Sequence, residues 1–143
     1  MTVGAAVTGL RRRLEGRSRA DSDRGSSSLE LVIVFPALLL IMFGAMQGAL
    51  YYFASSAALA AAQEGSRAAA NEYGSAGEGQ AAATSFLAAV GGSDTLQGAQ
   101  VTANRGAVTA TVSVTGRSLS LVPGWGGLAI EQVVSAPVER ITG

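Results

Sequence analysis

The feature that most limits how this chain can fold is an apolar run of 24 residues at positions 31–54. The run contains one strongly polar side chain, Gln47, and no charged residue. At a rise of about 1.5 Å per residue, a helix of this length extends over about 36 Å, which exceeds the ~30 Å hydrocarbon core of a bilayer. The buried helix of a water-soluble protein seldom contains so long an uninterrupted apolar run. The sequence therefore predicts one transmembrane helix, to which we assign residues 26–55.

The charges before this run predict its orientation. Six of the ten basic residues precede it, namely Arg11, Arg12, Arg13, Arg17, Arg19 and Arg24. Because Arg and Lys are enriched on the cytoplasmic side of a membrane helix, we expect residues 1–25 to be a cytoplasmic, arginine-rich leader. Residues 56–143 then form an extracytoplasmic domain. A secretory signal peptide is the alternative, but its apolar region runs only ~7–15 residues before a small-x-small site.

A short motif joins the leader to the apolar run. It reads Arg24-Gly25-Ser26-Ser27-Ser28-Leu29-Glu30, with one carboxylate five residues after the glycine. This arrangement resembles the processing site of type IV pilin-like proteins, in which a prepilin peptidase cuts after the glycine. Residues 63–70, which read Gln-Glu-Gly-Ser-Arg-Ala-Ala-Ala, are similar to the end of the long helix in TadE-like pseudopilins of the tight-adherence pilus. The resemblance implies cleavage between Gly25 and Ser26.

Glu30 has two interpretations, which are compatible. Ser27-Ser28-Leu29-Glu30 fits a capping box, in which a serine and the glutamate pair with backbone amides at the start of a helix. Alternatively, cleavage after Gly25 creates a cationic amine on Ser26, and a carboxylate at a membrane boundary is costly unless it is paired. The resemblance to pilins implies that Glu30 pairs with the amine of a neighbouring subunit and sets the axial register during assembly.

Three features inside the apolar run bear on how it packs. Gly44 and Gly48 lie four residues apart, a spacing that permits two membrane helices to approach closely, and Gln47 lies on much the same face. Pro36 removes one backbone hydrogen bond and is expected to kink or loosen the helix. Aromatic residues follow at the far end of the run, as expected at a membrane interface: Tyr51, Tyr52 and Phe53.

Alanine-rich sequence predicts that the long helix continues into water, over residues 27–73 in all. Glu64 and Arg67 are placed to pair on one face of it, and Gly65 is expected to mark a close contact with the outer domain. A second helix is predicted over residues 78–90. Its apolar face is formed by Ala83, Phe86, Leu87 and Val90, and Gly91-Gly92 ends it.

The last third of the chain predicts three antiparallel strands. Residues 100–103 form the first, Asn104-Arg105-Gly106 a short turn with a positive φ at the glycine, and residues 107–115 the second. In the second strand the inward residues are Val108, Ala110, Val112 and Val114. A loop over residues 117–127 leads to a third strand over residues 128–138. The long helix is the expected cover for the apolar face of the sheet, so the predicted fold is α+β and pilin-like.

The composition argues against an enzyme. The chain has no histidine, no cysteine and no lysine, so the usual partners that activate a nucleophilic serine are absent. The acidic residues lack the spacing of a metal site, and no glycine-rich phosphate-binding motif occurs. We therefore expect no catalytic residues, no metal and no cofactor. A formal net charge of zero gives no electrostatic case for nucleic acid as a partner.

Trp125 is the residue of the predicted loop to which a binding role is most easily given. It is flanked by glycines in Gly124-Trp125-Gly126-Gly127. Either it is a contact anchor for another molecule, or it packs beneath the sheet as part of the core.

Two functional hypotheses follow. In the first, the chain is a TadE-like minor pilin or pseudopilin of a tight-adherence pilus, inserted in the inner membrane and processed by a prepilin peptidase. Its partners are then the bilayer, other pilin subunits and the membrane platform proteins of the pilus machinery. In the second, it is an uncleaved single-pass anchor that presents a small ligand-binding or sensory domain outside the membrane. The mature N-terminus distinguishes the two.

Overall fold

The computed structural model describes the backbone of residues 3–140 and the side chains of residues 30–140. Its elements are the helices α1 (Val3–Ala70) and α2 (Ala76–Ala89), a 3₁₀ turn (Gly92–Asp94), and the strands β1 (Leu96–Arg105), β2 (Thr109–Ser118) and β3 (Ala129–Pro137). The chain divides into two compact units, Met1–Phe43 and Gly44–Gly143. The predicted α+β class is confirmed, with one long apolar helix, a second helix and a three-stranded antiparallel sheet.

Helix α1 is longer at its start than the sequence predicted, and slightly shorter at its end. It begins at Val3 instead of residue 27, and no proline interrupts residues 3–25. Residues 27–30 therefore lie inside a helix. In the uncleaved chain the capping-box interpretation therefore does not hold, since a cap forms only where the first amides of a helix are free. The helix continues through Pro36 and ends at Ala70, followed by a turn.

The outer part of α1 covers the sheet, as predicted. A stripe of small residues faces inward along it: Ala54, Ala58, Ala61, Ala62, Ser66 and Ala69. Several of these alanines share one core with Val112, Val114 and Ile130 of the sheet. Because alanine side chains are short, the helix lies close to the strands. A hydrogen bond from Gln132 Nε2 to Ser55 Oγ, 3.0 Å long, joins β3 to α1 as well.

Helices α1 and α2 approach each other at a pair of glycines. A Cβ added to Gly65 would lie 2.6 Å from the carbonyl oxygen of Gly79 and 2.9 Å from the Cβ of Ala83. A Cβ added to Gly79 would lie 2.8 Å from the carbonyl oxygen of Gly65. The prediction that Gly65 marks a close contact is therefore confirmed.

Helix α2 begins with a side-chain capping interaction. Ser75 Oγ accepts a hydrogen bond from the Glu78 amide at 3.2 Å and donates to the Glu78 carboxylate. The predicted apolar face is confirmed for Ala83 and Leu87, which are buried, and for Phe86, which packs against the core. Val90 follows the last residue of the helix and is half-buried. Gly91, with φ of +115°, follows the helix end.

The sheet has the order β1-β2-β3, with both pairs antiparallel. At its centre Val112 of β2 pairs with Ala103 of β1 and with Val134 of β3. The inward positions predicted for β2 are confirmed for Ala110, Val112 and Val114. Val108 is the exception, because it precedes the strand and is 68% exposed.

The first hairpin differs from its prediction. Strand β1 begins four residues earlier, at Leu96, because a bulge at Gly98 (φ +60°) lets the chain pass an irregular position and continue pairing. Asn104 and Arg105 pair with β2 instead of forming the turn, which is made by residues 106–108. Gly106 has no positive φ. The turn lies further along the chain because strand pairing continues through Arg105 opposite Ala110, and the Gly106 amide donates to the carbonyl oxygen of Thr109 at 2.8 Å.

Candidate functional site

Helix α1 presents a continuous apolar surface over residues 31–53. None of its large apolar side chains there is buried within the described part of the chain. Leu39 and Leu50 are half-buried. The others are each at least 38% exposed: Leu31, Val32, Ile33, Val34, Phe35, Leu38, Leu40, Ile41, Met42, Phe43, Met46, Tyr51, Tyr52 and Phe53. Among the described residues, Glu30–Ala70 is the one helical segment long and apolar enough to cross a membrane. Such a surface is stable in lipid or against other helices, and it fits a single-pass membrane protein.

The predicted processing residues lie in α1, but their side chains fall outside the described residues. This holds for both Gly25 and Ser26. Glu30 is the first residue whose side chain is described, and it is exposed. Within residues 30–140 the one ion pair is the exposed contact of Arg67 with Glu64, 4.0 Å apart, so Glu30 has no ion-pair partner in that range. Pairing of Glu64 with Arg67 was predicted.

Gly44 and Gly48 line an open part of the α1 surface. A Cβ added to either glycine would have no atom within 4 Å. The two positions therefore make no close contact within this chain, in contrast to Gly65 and Gly79. The surface over this stripe is free to receive a second helix.

Gln47 does not belong to that open surface, because it binds the loop between β2 and β3. Its Nε2 donates to the carbonyl oxygen of Leu119 at 2.9 Å, and its Oε1 accepts from the amide of Leu121 at 3.1 Å. The one amide of the apolar run thus has both a donor and an acceptor partner. A polar side chain in a membrane-spanning segment is costly without such partners, so these bonds explain how the run tolerates Gln47.

The segment bound by Gln47, residues 119–128, is here called the tryptophan loop. Its ends meet at Ser118, whose amide donates to the carbonyl oxygen of Leu128 at 2.9 Å and whose Oγ accepts from the Leu128 amide at 3.1 Å. Gly127 is required at this closure, since a Cβ there would overlap the carbonyl oxygen of Ser118. The loop is therefore an ordered, closed structure.

A tight turn places Trp125 at the surface of the tryptophan loop. The Trp125 amide donates to the carbonyl oxygen of Val122 at 3.2 Å across Pro123 and Gly124. With proline at the second position and φ of +80° at Gly124, this is the pattern of a type II turn. Trp125 is 67% exposed, so the interpretation that it packs in the core is wrong. The turn holds it away from the sheet, and the role as a contact residue stays a prediction.

Arg105 closes the outer end of α1. From β1, its guanidinium donates to the carbonyl oxygens of Ala69, Asn71 (2.7 Å) and Glu72 (3.3 Å). The Glu139 amide donates to the carbonyl oxygen of Ala70 at 2.9 Å. These donors satisfy the carbonyls that a helix leaves free at its C-terminus, and the cation is favourable at the negative end of the helix dipole.

Metal-binding side chains do not cluster in the described part of the chain. Among the described residues, no group of three His, Cys, Asp or Glu side chains is placed to hold a metal ion. The depressions in the surface are shallow; one lies between α2 and β1, lined by neutral residues such as Gln80, Thr84 and Leu87. The features that stand out in residues 30–140 are thus the apolar surface of α1 and the loop bound to it.

A comparison with known protein families points to the same helix, α1. Residues 25–67 match the TadE-like protein family. The TadE-like segment starts at the glycine of the proposed cleavage site, contains Glu30 and the apolar run, and ends at Arg67 of α1. The match confirms the resemblance that the sequence indicated, and it associates the chain with the tight-adherence pilus. The TadE-like family is not a family of enzymes.

The TadE-like match stops before α2 and the sheet. No curated protein and no solved structure matches the chain. The structure of residues 71–140 is therefore described from this chain alone.

Sequence reasoning missed the roles of Gln47 and Arg105. Gln47 was grouped with Gly44 and Gly48 as a helix-packing residue, and Arg105 was placed in a turn. One signal was available for Gln47: a lone amide in an apolar run must find a partner. The local sequence does not identify that partner, which lies more than 70 residues away.

Proposed function

We propose that this protein is a minor pilin or pseudopilin of a tight-adherence pilus. It is inserted in the inner membrane with its N-terminus in the cytoplasm. A prepilin peptidase cuts it after Gly25, and it then acts in pilus assembly through packing of α1 against other subunits and the membrane platform proteins.

The observation that carries this proposal is the position of the TadE-like match. It begins at Gly25, where the leader ends, and extends over the whole apolar run. The matched residues thus include those to which the proposal assigns a role: Gly25 at the proposed cut, Glu30 and the apolar run.

The exposed surface of α1 supports assembly through helix packing. Between residues 31 and 53 the helix contributes no residue to the buried core of the described chain, and most of its large side chains are exposed. Gly44 and Gly48 leave room for a neighbouring helix to approach. A helix that leaves a lipid environment for a filament needs such a surface, because only other apolar helices replace the lipid.

The proposal is tested by the mass of the mature chain. The full chain is produced in cells with a prepilin peptidase of a tight-adherence system, and in parallel with a catalytically inactive peptidase. We expect the active enzyme alone to yield a chain that starts at Ser26, detected by intact mass and N-terminal sequencing. Gly25→Leu is expected to retain the leader, whereas the matched variant Gly44→Leu, at a glycine further along the same helix, is expected to be processed.

A chain that keeps residues 1–25 beside an active peptidase contradicts this proposal. It would favour the other hypothesis, an uncleaved anchor that presents the outer domain as a ligand-binding or sensory module. Processing of Gly25→Leu as efficient as that of the parent chain would place the cut elsewhere.

A further inference from the structure

The tryptophan loop carries exposed apolar side chains on a rigid frame. Leu121 is 38% exposed, Val122 49%, Trp125 67% and Leu128 51%. Four such residues within eight positions make an apolar patch that is unfavourable in water. The patch thus needs a surrounding that accepts apolar groups.

The position of the loop along α1 identifies that surrounding. The loop is bound to Gln47, which lies one helical turn before Tyr51 and about 10 Å before the end of the apolar run at Ala54. The aromatic residues expected at the extracytoplasmic interface of the same membrane are Tyr51, Tyr52 and Phe53. The two Gln47 hydrogen bonds therefore hold the loop at the depth of that interface, beside the helix.

We propose that the tryptophan loop inserts into the outer-leaflet interface of the bilayer that α1 crosses, with Trp125 as its anchor. The occupant of the patch is lipid: the acyl-chain and headgroup boundary of the leaflet beside Gln47. This inference depends on α1 spanning a membrane, and not on cleavage after Gly25 or on pilus assembly.

The hydrogen bonds of the loop fit entry into lipid. Backbone that enters the membrane must have its polar groups paired, because lipid offers no partners. Leu119 and Leu121 are paired by Gln47, the Val122 amide donates to Ser120 Oγ at 3.2 Å, and the ends of the loop are paired at Ser118. The apolar side chains thus project from backbone that already has partners at these points.

The groups at the edge of the loop fit an interface rather than the membrane interior. Tryptophan combines a large apolar ring with one N–H donor and is enriched at the level of lipid headgroups. Arg117, at the end of β2, places its guanidinium beside Gly126. An arginine at this position extends towards lipid phosphates while its apolar stem lies along the loop.

The single tryptophan of the chain makes the proposal measurable. The full chain is reconstituted in phosphatidylcholine vesicles, and Trp125 fluorescence is recorded with lipids brominated either close to the headgroup or close to the chain end. We expect blue-shifted emission, strong quenching by the lipids brominated close to the headgroup, and weak quenching by acrylamide in the water. As a control, Trp125→Phe is combined with Tyr73→Trp, which moves the probe to an 89% exposed position beyond the far end of α1. That probe is expected to be quenched by acrylamide and not by brominated lipid.

A matched pair of variants tests whether the apolar patch is responsible. Leu121→Ser with Val122→Ser is expected to lose most of the lipid quenching of Trp125. Val108→Ser with Val133→Ser changes two residues outside the loop that are 68% and 55% exposed, and is expected to keep it. Circular dichroism checks that both variants remain folded.

Three results would overturn the proposal. The first is emission of Trp125 typical of water, with no quenching by brominated lipid, although the chain floats with the vesicles. The second is lipid quenching or a blue shift that disappears as the protein is diluted in lipid, which would assign the patch to a second copy of the chain. The third is a chain that does not float with the vesicles, which would refute the membrane span as well. Cleavage by the peptidase is measured in a separate experiment. The first two results would therefore refute the insertion of the loop without refuting the proposed function.

Discussion

Arg105 shows how much of this fold depends on single long-range hydrogen bonds. Its guanidinium lies on β1 and contacts carbonyl oxygens of Ala69, Asn71 and Glu72 at the end of α1. The planar guanidinium can donate several bonds at once in a fixed geometry, which a lysine or glutamine cannot reproduce. The residue thus fixes where the long helix ends and ties that end to the sheet.

Replacing Arg105 by Gln is expected to destabilise the outer domain by about 1–3 kcal/mol, because carbonyls at the helix end lose a charged donor. The effect can be measured by denaturant unfolding of the full chain in detergent, and by faster hydrogen exchange in the last turn of α1.

Arg67→Gln is the matched control for this change. Arg67 also lies near the end of α1, but it makes one exposed ion pair of 4.0 Å, and such pairs contribute about 0–1 kcal/mol. Equal losses for the two variants would show that Arg105 acts only through its charge and not through its contacts.

At the scale of elements, the crossing of α1 and α2 depends on the absence of side chains at Gly65 and Gly79. Each glycine faces the backbone of the other helix at less than 3 Å from where a Cβ would be. Helix α2 can therefore lie directly on α1 and contribute Ala83 and Leu87 to the same core.

Gly65→Ala is expected to destabilise the domain by about 1–3 kcal/mol, even though alanine is the better helix former, because overpacking outweighs propensity. Its control is Gly77→Ala in α2, where the added Cβ would meet only Ser75 Oγ, at an ordinary 3.8 Å. That variant should gain up to about 1 kcal/mol from helix propensity. Thermal unfolding followed by circular dichroism compares the two, and a Gly65→Ala chain as stable as Gly77→Ala would contradict the close crossing.

Most of the elements could be predicted because their signals are local. The transmembrane helix is indicated by an uninterrupted apolar run. The face of α2 with Ala83 and Leu87 and the alternation of Ala110, Val112 and Val114 repeat with the period of their elements. The start of β1 was missed because the bulge at Gly98 interrupts that period. The turn after β1 was misplaced because Asn104-Arg105-Gly106 reads locally as a turn, whereas Asn104 and Arg105 continue the pairing with β2. The partners of Gln47 and of the Arg105 side chain were missed because they lie more than 30 positions away, which no local pattern reveals.

At the scale of the whole molecule, α1 changes its surroundings along its length. From Leu31 to Phe53 most of its large apolar side chains are exposed, and from Ala54 onwards one face is small and buried under the sheet. The change in side-chain size thus separates a surface for lipid or other helices from a surface for the protein's own domain. This division is what the proposed pilin function requires of a single helix.

Glu30 is the residue on which the assembly of the proposed pilin depends most. With Glu30→Ala we expect cleavage after Gly25 to continue, because the cut lies five residues away. Incorporation into filaments should fail, because the proposal assigns to this carboxylate the pairing with a neighbouring subunit's amine. Immunoblots of sheared pili and of membranes, from cells that carry the rest of the pilus system, measure both steps.

Glu64→Ala serves as the matched control, since it removes an exposed carboxylate from the same helix with a cost of no more than about 1 kcal/mol. It should be cleaved and incorporated like the parent chain. Normal incorporation of Glu30→Ala would refute the role of Glu30 in setting register.

The hydrogen bonds of Gln47 affect the transfer of α1 from the bilayer to a filament. An amide that relies on lipid headgroups or on a neighbouring subunit must exchange partners whenever its helix is relocated. The partners of Gln47 are the backbone groups of Leu119 and Leu121, which belong to the same chain and therefore move together with the helix. Extraction from the bilayer therefore breaks no hydrogen bond at this position, and the polar group adds no barrier to the transfer.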